Sequence, residues 1–136
     1  MIKPICRDTL LLSRPSQAAS AADLQVAQDL LDTLRANTDI CVGMAANMIG
    51  INRRIIAISV GFAYLVMLNP EILSHSGPYE AEESCLSLPG QRKTTRYETI
   101  QVKYQDEKMV WHTQTFTGFP AQIIQHEVDH CNGILI

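Results

Sequence analysis

The chain is organised around six residues, Gln125-His126-Glu127-Val128-Asp129-His130, near its carboxy-terminal end. On an α-helix, His126 and His130 project from one face, because residues four apart lie one turn above each other. Two imidazoles so arranged can bind one metal ion, and Glu127 beside them can take a proton from water on that ion. The H-E-x-x-H spacing therefore predicts metal-assisted hydrolysis. Two solvated surface histidines remain an alternative for the same pattern.

The flanking residues favour a buried helix for this segment. Pro120 suits a first turn, where a backbone N–H is not needed, and Gly133 suits the position just after the last turn. The apolar residues between them form a stripe at helical spacing, nearly opposite the two histidines. This stripe consists of Ala121, Ile124, Val128 and Cys131. We therefore expect one side of the helix to pack in the core and the other to form the wall of a metal pocket.

The composition is that of an ordinary soluble protein. The 136 residues, 46% of them hydrophobic, fit one domain over residues 1–136. The net charge of −3 predicts no broad basic surface, so no direct nucleic-acid site is expected. We interpret Arg92, Lys93 and Arg96 as a solvated face. The amino terminus lacks the apolar centre of a signal peptide and no run is long enough for a bilayer, which predicts a cytoplasmic protein without membrane contact.

The four cysteines show no C-x-x-C spacing. In a reducing compartment they are expected to be thiols or metal ligands rather than disulfides. We interpret Cys6, Cys41 and Cys131 as small core residues, because each lies among apolar neighbours.

The remaining segments predict an α+β domain. Ser20 and Asp23 resemble a capping box, followed by leucines at helical spacing to about Asn37, which predicts an amino-terminal amphipathic helix. The small residues of 41–50 are interpreted as close packing after this helix. Two antiparallel strand pairs follow, the first ending at Asn69-Pro70. These pairs are 55–60 with 64–68, and 100–104 with 110–116. We expect antiparallel sheets packed around a central, metal-binding, carboxy-terminal helix.

A third ligand is expected from the segment between the strand pairs. Cys85 precedes Leu-Ser-Leu and a Pro-Gly turn, a suitable place for a ligand that faces the final helix. Together with His126 and His130 it gives three protein ligands. A catalytic metal site needs three, because the fourth position is left for water.

Three segments resemble the motifs of the peptide deformylase family. The family motifs G-x-G-L-A-A-x-Q, E-G-C-L-S and Q-H-E-x-D-H correspond, in this order, to residues 41–48, 83–87 and 125–130. The resemblance implies a hydrolase that removes the formyl group from the starting methionine of new polypeptides. Its implied partners are N-formylmethionyl peptides and the ribosome. Its implied cofactor is one divalent metal ion, typically ferrous iron, with zinc or nickel as alternatives.

The resemblance also implies residue roles. Cys85, His126 and His130 would bind the metal, and Glu127 would carry the proton from water to the leaving amine. The backbone N–H of Leu86 would donate to the formyl oxygen. Substrate contacts are further implied for the backbone of Gly43 and for Met48, which can line an apolar pocket.

This sequence departs from the family motifs at three positions. Met48 replaces a glutamine that donates to the formyl oxygen, Ser84 replaces a glycine, and Cys41 replaces the first glycine of its motif. The metal ligands and the base are retained, which favours a deformylase with a reduced rate or with another N-formylated substrate. A non-catalytic metal-binding protein and a general zinc peptidase are the two other hypotheses.

Overall fold

The computed structural model describes residues 1–136 as three helices, two 3₁₀ turns and five strands. The helices are α1 (Thr9–Leu12), α2 (Leu24–Ala36) and α3 (Gly118–Cys131), and the 3₁₀ turns are Ala21–Asp23 and Ala46–Ile49. The strands are β1 (Gly43–Ala45), β2 (Ile55–Ser59), β3 (Tyr64–Cys85), β4 (Leu88–Gln105) and β5 (Trp111–Thr117). The prediction of an α+β domain with an amphipathic amino-terminal helix is confirmed.

The predicted capping box lies at the start of the 3₁₀ turn that leads into helix α2. The Ser20 side chain accepts a hydrogen bond from the Ala22 N–H, and Asp23 accepts one from the Ser20 N–H, which makes the predicted capping box. The side chains that α2 buries lie at helical spacing, which explains its stability on the sheet. They include Ala27, Leu30, Leu31 and Leu34.

All five strands form one antiparallel sheet in the order β1-β2-β3-β4-β5. Strand β2, which is buried from Ile55 to Ile58, directs alternate side chains to opposite faces. Ile55 and Ala57 belong to the core on the α2 side, whereas Ile56 and Ile58 belong to the core on the α3 side. The sheet therefore separates two apolar cores, one under each helix.

The predicted end of a strand at Asn69-Pro70 is wrong, because β3 continues to Cys85. The strand accommodates Pro70 through an irregularity in its pairing. Asn69 adopts a φ of 54°, and the register with β4 shifts between Leu68 and Glu71. The Asn69 side chain donates to the Gln105 Oε1 at 2.7 Å, which holds the two strands together at this point. The second predicted pair, β4 with β5, is present.

Helix α3 carries the predicted apolar stripe into the core, where all four residues of the stripe are buried. The helix begins at Gly118, two residues before Pro120, so that Pro120 lies in the first turn as expected. Gly133 follows the helix with a φ of 76°, which favours glycine. None of the helices is long and apolar enough to span a membrane.

Candidate metal centre

The three predicted metal ligands lie together between β3 and α3. Cys85 is the last residue of β3, just before the two-residue turn Leu86-Ser87 that leads into β4. His126 and His130 lie on successive turns of α3. The Sγ atom and the ring nitrogens of these three residues lie within 4.8 Å of one another. Surface exposure of the histidines is ruled out, because His126 is 8% exposed and His130 is fully buried.

The two imidazoles have the spacing that one ion requires. Their Nε2 atoms are 3.1 Å apart. Two nitrogens bound at ~2.0–2.1 Å to one tetrahedral ion lie ~3.3 Å apart. The Nδ1 of His126 lies 2.8 Å from the Glu83 Oε1, so that this nitrogen carries the proton and the lone pair of Nε2 faces His130. The residues present therefore fit a metal ion.

The sulfur of Cys85 also has a partner that suits a metal ligand. The Ser87 N–H donates a hydrogen bond to the Cys85 Sγ at 3.4 Å, across the turn that follows β3. Cysteine binds metals as the thiolate, and a metal-bound thiolate can accept a hydrogen bond from a backbone N–H at this position.

Glu127 is a buried carboxyl group beside the ligands. It is 3% exposed, and its Oε1 has no hydrogen-bond partner within the protein. Burial raises the pKa of Glu127 to about 7. A carboxyl group with a pKa near 7 can both take and return a proton close to neutral pH, as a general acid–base catalyst must.

An ion-pair network that the sequence analysis missed supports His126. Arg96 is 4% exposed, so its interpretation as part of a solvated face is wrong. Its Nη2 donates to the Glu83 Oε1 at 2.7 Å, and its Nη1 donates to the Asp129 Oδ2 at 2.7 Å. Burial works to raise the pKa of Glu83, but hydrogen bonds from His126 and Arg96 outweigh it and lower that pKa to about 2.

A signal for this network was present in β4. Arg96 has the same alternation as Ile100, Val102 and Tyr104, all of which face the core. A period of two therefore places Arg96 on the buried face of the strand. Gln125 was missed as well: its side chain accepts from the Tyr97 N–H at 2.9 Å and donates to the Tyr97 carbonyl at 2.8 Å, which fixes α3 against β4.

A cavity of about 330 Å³ opens beside the ligands. Its lining includes all three predicted substrate contacts, which are Gly43, Met48 and Leu86, together with Cys85, His126 and Glu127. The lining also includes Cys41 and Ser84, two of the positions that depart from the family motifs. The interpretation of Cys41 as a core residue is wrong, since it is half-buried at this cavity. Cys6 is half-buried too, whereas Cys131 is buried as predicted.

Gly43 allows β1 to approach α3 closely. A Cβ atom at this position would lie 2.6 Å from the Ile123 Cγ2 and 3.0 Å from the Glu127 Oε2. Any larger residue would therefore displace the side chains of Ile123 and Glu127. This observation confirms the prediction of close packing in segment 41–50.

Comparisons with known proteins agree with this geometry. The family model for polypeptide deformylase matches residues 7–136. The chain belongs to the peptide deformylase family. Members of this family are hydrolases that use a single metal ion to remove the N-formyl group from nascent peptides, and this activity is favoured over the two other hypotheses.

Individual members of the family match over nearly the full chain. The peptide deformylase of Clostridium beijerinckii is 56% identical over 136 residues, which cover 100% of both chains. A class I type b peptide deformylase from Acinetobacter baumannii, with Met-Ala-Ser bound, has a TM-score of 0.90 at 33% identity and covers 99% of this chain and 97% of that one. The peptide deformylase of Thermotoga maritima has a TM-score of 0.90 at 28% identity, with coverages of 99% and 95%.

Proposed function

We propose that residues 1–136 form one catalytic unit that hydrolyses formylmethionyl peptides, with one metal ion held by Cys85, His126 and His130. The observation that supports this most strongly is the convergence of their ligand atoms within 4.8 Å, beside the buried carboxyl group of Glu127. A divalent ion bound there would supply a nucleophile near neutral pH and polarise the formyl oxygen.

Glu127 is the proposed general base and acid. Its Oε1 is buried and has no partner within the protein, so it is available to accept a proton from the attacking water. The same atom then delivers this proton to the leaving amine. A pKa raised by burial to about 7 supports both steps near neutral pH.

The substrate is proposed to lie in the cavity of about 330 Å³. The Leu86 N–H donates to the formyl oxygen, the backbone of Gly43 contacts the peptide, and Met48 lines an apolar pocket for the methionine side chain. All three residues line this cavity, which supports their roles. The Met-Ala-Ser peptide bound to the Acinetobacter baumannii relative supports a peptide that begins with methionine.

Ferrous iron is the proposed native metal, with zinc or nickel as alternatives. One thiolate and two imidazoles suit iron and zinc alike, so the donor set does not choose between them. Elemental analysis of protein purified without oxygen tests this assignment. Iron at about one equivalent per chain is the expected result, and zinc or nickel at that level in its place would contradict it.

The cytoplasm and the ribosome are the proposed setting of the reaction. The substrate is the amino terminus of a new polypeptide, which the enzyme meets while the chain is short. We expect the protein to sediment with ribosomes that carry formylated nascent chains. If the amount of sedimented protein were the same in the presence and in the absence of ribosomes, this contact would be contradicted.

The function is tested by formate release from formyl-Met-Ala-Ser. Anaerobically prepared, iron-loaded protein is expected to release formate, and Glu127→Gln to lower kcat by ~10²–10⁴ because it removes the proton carrier. Glu107→Gln, an exposed carboxyl in a turn, is the matched control and should leave kcat unchanged. Equal rates for the metal-free and the iron-loaded protein, or for Glu127→Gln and the control, would refute the proposal.

A further inference from the structure

Three sulfur side chains line the cavity at the proposed metal site. They belong to Cys41, Met48 and Cys85. The proposed hydrolysis uses only the sulfur of Cys85 as a metal ligand, so those of Cys41 and Met48 are additional soft donors at this cavity.

The backbone holds Met48 close to the metal-binding helix. Met48 lies in the 3₁₀ turn Ala46–Ile49, and its carbonyl accepts from the Cys6 N–H at 2.7 Å. The neighbouring Asn47 donates from its Nδ2 to the carbonyl oxygen of His130 at 2.9 Å, so the turn is tied to a metal ligand. Met48 is 1% exposed and belongs to the core cluster against which Cys85 packs. Its side chain is thus confined between that core and the cavity.

The two additional sulfurs differ in their availability. The Cys41 thiol already donates a hydrogen bond to the Gly43 carbonyl at 2.9 Å. Met48 has a thioether, which has no proton to lose and is held by a flexible side chain. Thioether and thiolate donors select Cu⁺ among biological metals, and two imidazoles, one thiolate and one weak thioether form a donor set that copper adopts in proteins.

We propose that Met48 is a fourth ligand for Cu⁺ at the site formed by Cys85, His126 and His130. This inference rests on the metal site proposed above. A fourth protein ligand fills the position that a hydrolytic site leaves open for water. The copper-loaded protein is therefore a closed form that does not release formate.

Selenium X-ray absorption tests the contact directly. Metal-free protein labelled with selenomethionine is loaded with one equivalent of Cu⁺ under anaerobic conditions. The absorption spectrum at the selenium edge is expected to show scattering from copper at bonding distance. This scattering is expected to vanish in Met48→Leu and to persist in Met44→Leu. Met44 is the matched control, because it is fully buried in the same core cluster and does not line the cavity. Absence of copper scattering in the parent protein would overturn the proposal.

Affinity gives a second measure that needs no label. Cu⁺ affinity is measured by competition with a chromophoric Cu⁺ chelator. Met48→Leu is expected to lower this affinity by roughly 10-fold or more, because even the loss of a residue that only supports a metal ligand typically lowers metal affinity by that factor. Zn²⁺ affinity should change less, and Met44→Leu should change neither. Equal Cu⁺ affinity in Met48→Leu and the parent would overturn the proposal.

A Cys85→Ser variant separates this inference from the metal site on which it rests. If Cys85→Ser abolishes Cu⁺ binding and Met48→Leu leaves it intact, the metal site stands and the fourth ligand is refuted. If Cys85→Ser leaves Cu⁺ binding intact, both are refuted.

Discussion

Met48 stands where the resemblance to the family motif implies a glutamine. A thioether has no N–H to donate to the formyl oxygen, and loss of one such donor typically lowers kcat by ~10²–10³. We therefore expect Met48→Gln to raise kcat/KM for formyl-Met peptides by up to ~10², because it restores the donor. Formate release by the iron-loaded variants measures this change.

The gain should depend on Glu127, the proposed general base. A double variant with Met48→Gln and Glu127→Gln is expected to be as slow as Glu127→Gln alone, since the added donor acts on the same reaction. A kcat/KM for Met48→Gln equal to or below that of the parent would mean that polarisation of the formyl oxygen does not limit the rate.

Strand β4 contributes to the metal centre through one side chain, Arg96, which connects it to β3 and α3. Replacing Arg96 by methionine keeps the volume but leaves the buried carboxylate of Glu83 without its cation. Breaking a buried ion pair in this way costs about 3–5 kcal/mol. We expect Arg96→Met to lower the free energy of unfolding by this amount, as measured by urea denaturation. Lys93→Met is the control on the same strand, where the exposed side chain should change stability by no more than about 0.5 kcal/mol.

The same variant should also affect the metal. Glu83 orients the His126 ring. Loss of such a supporting partner typically lowers metal affinity by about 10–100-fold. If Arg96→Met unfolds at the same urea concentration as Lys93→Met, the network does not stabilise the fold.

The elements that the sequence predicts well are those with a local signal. The capping box at Ser20 marks the 3₁₀ turn that leads into α2, and the stripe opposite the histidines fixes the buried side of α3. The far half of β3 has no such signal, because Glu83 is the one buried residue between Leu73 and Ser84 and no apolar alternation marks the segment as a strand. That half is held by pairing with β4, which is a long-range contact that periodicity does not show. The proline at Pro70 was therefore interpreted as an end rather than an irregularity.

The whole molecule is expected to be more stable when the metal centre is filled. A metal that binds only the folded chain stabilises it by about 2.7 kcal/mol when the free metal is at 100 times its Kd. We expect calorimetry to show a Tm several °C higher for the metal-loaded protein than for the metal-free protein, as expected for a domain of this size. The increase should disappear on addition of a chelator.

Cys85→Ser provides the control for this prediction. The variant keeps the fold of the hairpin but lacks the sulfur ligand, so its Tm should respond little to metal. If the parent and Cys85→Ser gained the same number of degrees, the metal would be acting at another place on the protein.

The proposed sulfur ligand lies at the tip of the β3–β4 hairpin, far in the sequence from the two imidazoles on α3. This separation determines when the protein can bind a metal ion. The three donors are far apart in the sequence and come together only in the fold. The ion can therefore bind to all three only after the helix has docked on the sheet. We therefore expect the ions available at that stage to influence which metal the three proposed ligands bind.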